Sequence, residues 1–221
     1  MGQILIIWDK IFGTFQEELP DVKPVYGITR PVQTWNPIKI NFQHLWLLCT
    51  DAIRTKKWGD KIRVWFMPTG WRPADVAEKY PVYKINDVYH FEKYHAKESK
   101  ALLVWSWIQL FVLLLFVSYL FGNIAAIGSP HIYIYGLFIF LFVYAFTELM
   151  DDAKLALVWE IAKNVMAIGL IVWMGDWFES DQYAPLIKYI LLGYFSLSSF
   201  VVAWIQQQQK KTGIENRLVV Q

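Results

Sequence analysis

Four histidines are the only imidazoles this 221-residue chain offers to a metal or to proton transfer, and their spacing favours neither. His44, His90, His95 and His131 are dispersed. His90 and His95 stand five apart, which on a helix would turn them about 140° from one another at ~100° per residue, so these two alone make a poor metal site. His44 has open readings: a solvated or hydrogen-bonded structural histidine, or a side chain that approaches a lipid headgroup or a further domain. His131 opens an apolar run and reads as an interfacial anchor.

Glu160, Lys163 and Asn164 are the more suggestive group. They fall at i, i+3 and i+4, hence on one helical face where an ion pair and a hydrogen bond can form. Charges inside an apolar run are costly and invite a functional reading. Counted from about residue 155 at 1.5 Å per residue, Glu160 is roughly 8 Å and Lys163 roughly 12 Å deep, within reach of snorkelling to the nearer interface. Two readings follow. One is a structural ion-pair network shared with Glu148, Asp151, Asp152 and Lys154; the other is a polar wall of a lipid headgroup pocket. Gly193, Ser196, Ser198 and Ser199 are small residues that let helices approach closely, and no Ser/His/Asp arrangement accompanies them.

The elements that hold these residues are membrane elements. Hydrophobic residues make up 56% and aromatic residues 18% of the chain, more than a soluble core of this length uses. Apolar spans at about 102–121, 131–147, 155–175 and 185–205 each approach the roughly 20 residues that cross hydrocarbon as a helix. The expected fold is therefore an all-α integral membrane protein: four transmembrane helices (101–206) preceded by an interfacial helical and loop region (1–100) and followed by a polar tail (207–221). In the first region Ile4–Phe15 reads as helix, 20–37 as extended and turn-rich, and Asn41–Thr55 as an amphipathic helix suited to lying in the interface or packing on its neighbours. Trp58–Pro73 mixes basic residues with Trp65, Phe66 and Trp71 and suits either a headgroup surface or the cover of a further domain. Gln206–Gln209 is expected to end the last helix.

Charge sets the expected orientation. Residues 1–100 carry 15 Lys+Arg against 11 Asp+Glu, and loops 122–130 and 176–184 carry no Lys or Arg, so the positive-inside rule places both termini in the cytoplasm. The membrane would be a bacterial inner membrane or endoplasmic reticulum. Trp173, Trp177 and Tyr183 are expected at the far interface, with Trp105, Trp107 and Trp204 at the near one. The single Cys49 precludes an intrachain disulfide, and no basic stripe suggests nucleic acid.

Three ordered motifs carry a family resemblance: Ile4-Leu5-Ile6-Ile7-Trp8-Asp9-Lys10-Ile11-Phe12-Gly13-Thr14-Phe15, then Tyr26-Gly27-Ile28-Thr29-Arg30-Pro31-Val32, then Trp35-Asn36-Pro37. They resemble the segment that follows the last histidine cluster in the sterol desaturase and fatty acid hydroxylase superfamily. With Gly70-Trp71-x-Pro73 and the four later spans, the chain is most similar to the alkylglycerol monooxygenase branch. The resemblance implies a membrane di-iron enzyme that hydroxylates a lipid, with a reduced pterin, tetrahydrobiopterin, as electron donor in that branch. It also implies that the chain reads as the carboxy-terminal portion of such an enzyme. The family's eight or more clustered histidines are not among the four here, so no iron is expected on this chain alone, and a histidine-rich catalytic half is the implied partner.

The resemblance places Trp8, Asp9 and Gly13 behind the iron ligands. Asp9 would accept a hydrogen bond from a ligating imidazole, or else pair locally as a surface carboxylate. Gly13 would allow close packing or a sharp exit. His44, Glu148, Glu160 and Lys163 are the residues that would wall a headgroup pocket. Two other classes of function stay open: a non-enzymatic membrane subunit docking on a separately encoded catalytic half, and a small four-helix transporter or scaffold.

Overall fold

The computed structural model describes residues 6–15, 21, 25, 30–85, 87, 89–91, 94, 95 and 99–219, excepting the side chains of Ile6 and of 210–219. The Tyr26-Gly27-Ile28-Thr29 part of the second motif lies outside them. Helices form throughout the described residues and no strand does. In order they are α1 (Ile6–Ile11), α2 (Pro37–Arg54), α3 (Trp58–Arg63), α4 (Ala74–Lys79), α5 (Lys100–Gly122), α6 (Ile124–Ile127), α7 (His131–Met150), α8 (Ala156–Met174) and α9 (Ile187–Val219).

Helices α5, α7, α8 and the 187–209 stretch of α9 are each long and apolar enough to cross a membrane. The protein is an all-α integral membrane protein. Continuous helix satisfies every backbone group that hydrocarbon would leave unbonded, which is why these apolar runs take no other form. Helix α7 packs against α5 and α8, and α8 against α9. The glutamine run 206–209 does not stop α9, which continues to Val219. Gln and Lys are good helix formers, so loss of apolar character there ends the span without ending the helix.

Aromatic rings fill one half of the bundle. Phe116, Tyr135, Phe138, Phe142, Phe178, Trp177 and Phe195 are buried together. Phe138 meets Trp177 edge-on at 4.8 Å between ring centroids, and Phe116 meets Phe138 at 5.1 Å. Such pairs contribute about 0.5–1.5 kcal/mol each beyond area burial. Trp177 thus departs from the expectation of an interfacial marker. It turns inward from the α8–α9 connection, and its indole Nε1 donates to the Tyr135 hydroxyl at 3.1 Å. Trp173 and Tyr183 remain exposed.

The connection that swings Trp177 inward carries backbone strain. Phe178 and Glu179 have φ of 47° and 66°, in the left-handed region that non-glycine residues avoid. Tyr119 Oη holds the Phe178 carbonyl at 2.9 Å, while the Asp176 carboxylate accepts from the Glu179 and Asp181 amides.

Candidate functional site

The Trp-Asn-Pro motif is a helix start that doubles as a docking point. Asn36 is extended (φ −70°, ψ 116°), and its Oδ1 accepts from the Ile38 and Lys39 amides at 2.9 and 3.3 Å. Pro37 at the first helical position has no N–H to leave unbonded. Helix α2 therefore begins four residues before the expected Asn41. With Oδ1 capping the helix, the other face of the Asn36 amide donates from Nδ2 to Glu148 Oε1 at 2.8 Å.

Glu148 and Asp151 receive the whole motif. Lys39 Nζ pairs with Glu148 Oε1 at 2.5 Å. Thr34 Oγ1 donates to Asp151 Oδ2, the Trp35 amide to Oδ1 at 2.8 Å, and Tyr94 Oη to the same oxygen at 3.1 Å. Two carboxylates at the negative end of α7 would ordinarily be unfavourable. Here Lys39 and the amino-terminal end of α2 face them and reverse that sign. Burial opposes the charge on Lys39, but the Glu148 hydrogen bond and charge outweigh it, so its pKa rises. Burial first, then the hydrogen bond and charge of Asp151, push Tyr94 up to about 12.

A second seam closes the amino-terminal region on itself. Arg72, the variable residue of Gly70-Trp71-x-Pro73, grips the fully buried Asp51 with Nε to Oδ2 at 2.6 Å and Nη2 to Oδ1 at 2.8 Å. Its remaining nitrogen Nη1 donates to the Tyr80 carbonyl at 2.8 Å. This fork needs a planar guanidinium, and its hydrogen bonds to Asp51 raise the Arg72 pKa further.

Glu160 and Lys163 lie elsewhere. Both are fully buried inside the bundle, 2.8 Å apart, and Lys163 is turned inward rather than out to an interface. Glu160 Oε1 also accepts from Ser198 Oγ and, at 3.5 Å, from Asn164 Nδ2; Gln109 Nε2 stands 3.4 Å from both carboxylate oxygens. Lys163 Nζ reaches Gln109 Oε1 at 3.3 Å and sits 4.2 Å from the centre of the Phe142 ring. The node thus ties α5, α7, α8 and α9 together. The single polar cluster expected around residues 148–163 is two: the docking seam on α7, and this node within the bundle. Helix α8 turns Glu160 and Lys163 towards α5 and α9, away from the α7 terminus. Gln109 was the missed member, since a lone Gln in an apolar run carries no sequence signal, and Ser198 was read only as a small residue that allows close packing.

Ile4 and Leu5 of the first motif lie outside the described residues, and the rest forms a short helix, Ile6–Ile11, and its exit. Gly13 has φ +66° and open space where a Cβ would stand, which fits the sharp exit rather than close packing. Asp9 pairs with Thr14, whose Oγ1 donates to Oδ1 at 3.1 Å, and its carbonyl accepts from the Thr14 and Phe15 amides at 2.8 and 3.0 Å. Trp8 is exposed and stacks on Phe12.

The histidines fall at three separate places. His44 is exposed on α2, and His131 packs edge-on against Trp173. His90 and His95 are on no helix, so the 140° separation does not apply. Both line one open cleft of about 610 Å³ with Tyr94 and Asp87, and Asp87 Oδ2 lies 2.9 Å from His90 Nδ1. Among the described residues no three His, Cys, Asp or Glu side chains gather closely enough to hold a metal. The described residues do not fit an iron centre.

Fold and sites define a class: a four-helix membrane protein with a polar amino-terminal region clamped to one end of its bundle. Within that class, the chain is related to alkylglycerol monooxygenases. It is 31% identical to the human enzyme over 171 residues, covering 76% of this chain and 37% of that protein. It is 39% identical to the Xenopus tropicalis enzyme over 70 residues (32% of this chain, 15% of that protein) and 33% identical to the Caenorhabditis elegans enzyme over 82 residues (33% and 16%). The chain thus spans 37% or less of these curated relatives. No family model matches, and no solved structure does.

Proposed function

We propose that this chain is the carboxy-terminal part of a membrane lipid monooxygenase of the alkylglycerol monooxygenase kind, in the sterol desaturase and fatty acid hydroxylase superfamily. The observation that carries the reading is the likeness to the human enzyme across three quarters of the chain. In this reading iron, with tetrahydrobiopterin as the reductant, belongs to a histidine-rich half that this chain meets through its amino-terminal region. The chain itself holds no iron and routes no proton. Its part is mechanical: the bundle anchors the enzyme, and the Glu148–Asp151 seam fixes the amino-terminal region at the membrane end of α7. Both termini face the cytoplasm, and the substrate is a membrane lipid.

The coding DNA immediately upstream of Met1 tests the assignment. In-frame codons for histidine clusters, together with ether-lipid hydroxylation by membranes expressing the joined protein, are the expected result. A stop codon with its own ribosome-binding signal would make this a separate membrane subunit, and joined membranes without activity on ether lipids would overturn the substrate class.

A further inference from the structure

Helix α2 is inverted relative to a helix that meets water. Its inner side carries the fully buried Asp51, held by Arg72. Its outer side carries Phe42, Leu45, Trp46 and Ile53, which at ~100° per residue fall within an arc of about 100°. Trp46 is 72% and Ile53 76% exposed. The apolar surface continues beyond the helix through Trp58 at 81% and Phe66 at 83%. Large apolar side chains left this exposed along one helix face and the segment after it mark an interaction surface.

The rim of this surface is cationic. Arg54, Lys56, Lys57, Lys61 and Arg63 face a single acid, Asp60, in residues 54–66. Lys61 closes the end of α2 by donating to the Ala52 and Ile53 carbonyls at 3.0 and 3.2 Å, and Arg54 stacks on Tyr80, whereas Lys56 and Lys57 are exposed. The start of α2 is pinned by Asn36 and Lys39 to the end of α7, a helix long enough to span a bilayer, so the patch starts out from the level at which hydrocarbon ends.

We propose that the outer face of α2 and α3 lies in the plane of the bilayer, with Phe42, Trp46, Ile53, Trp58 and Phe66 seated at the acyl boundary and Lys56 and Lys57 on anionic phospholipid headgroups. Three observations favour lipid over a protein partner. The surface begins where α2 is pinned to the end of the membrane-length helix α7, its aromatic members are rings that suit the headgroup level, and its charge complements an anionic leaflet.

Site-directed spin labelling of the full chain tests this. A nitroxide is placed at Trp46→Cys or Phe66→Cys in a Cys49→Ser background, with Glu78→Cys on α4 as the water-facing reference. The protein is reconstituted in phosphatidylcholine vesicles with or without phosphatidylserine. Collision with a water-soluble nickel chelate should be about threefold or more lower at 46 and 66 than at 78, with oxygen collision higher there, as for residues below the headgroups. Lys56→Glu with Lys57→Glu should raise nickel access at 66 only in the serine-containing vesicles. Nickel access equal to that at 78 overturns the proposal. Low access to both oxygen and nickel also overturns it, because protein then covers the face, and indifference to the charge reversal removes the anionic headgroup.

Discussion

Asn36 does two jobs with one amide, and the arrangement makes its contribution larger than that of either job alone. Its oxygen caps α2 and its nitrogen reaches Glu148. Asn36→Ala should lose a cap and a hydrogen bond to a charged acceptor, about 2–4 kcal/mol together, read as a lower unfolding midpoint in detergent. Tyr94 gives a pH-dependent prediction. Its folded pKa of about 12 exceeds the ordinary 10.0, so its contribution is complete below pH 10 and is lost as pH rises through about 12. Tyr94→Phe should cost about 1–2 kcal/mol near neutrality and flatten the alkaline loss of stability between those limits, seen by comparing unfolding across that range. The helix was readable in the sequence from Asn41, four residues late, because the prolines up to Pro37 read as extended chain while Asn36 and Pro37 in fact cap and open α2. The partner of Asn36 was not readable, because Glu148 lies over a hundred residues away and nothing local to either residue encodes the pairing.

Among the helices, hydrophobic length alone foretold the four long spans, since hydrocarbon leaves so few alternatives. Their ends were harder. Helix α9 ran through its glutamines because polarity and helicity are separate properties, and Trp177 turned inward because a strained loop redirected it. The Glu160–Lys163 pair was legible as i, i+3, but its closure by Gln109 and Ser198 depends on how α5, α8 and α9 rotate against one another. Between apolar helices in apolar solvent, packing and polar contacts must replace the hydrophobic effect. Glu160→Ala should therefore strand a buried ammonium and cost about 3–5 kcal/mol, whereas Glu160→Gln with Lys163→Met should recover most of that. Resistance of the bundle to unfolding by denaturing detergent compares the three proteins. Equal stability of the single and double variants would mean the pair is not coupled.

At the scale of the whole molecule, two of the ion-pair sites divide the labour. The node inside the bundle holds the spans together, and the Glu148–Asp151 seam fastens a charged, aromatic region to one end. That region carries the segments that resemble an oxygenase, yet its histidines are split between an exposed helix face (His44) and a cleft (His90 and His95), and His131 stands apart at the start of α7. The positive-inside distribution leads to a simple topological expectation: a reporter active only in the cytoplasm should work when fused after Gln221 and fail when inserted in the 176–182 connection. Failure after Gln221 would reverse the orientation. Metal analysis of the protein purified in detergent after iron-replete expression separates a membrane anchor and cover, whose iron would lie on other residues, from a chain that binds iron itself. Iron no higher than in a mock purification is the expected result; one or two tightly held iron atoms per chain would put the metal here instead.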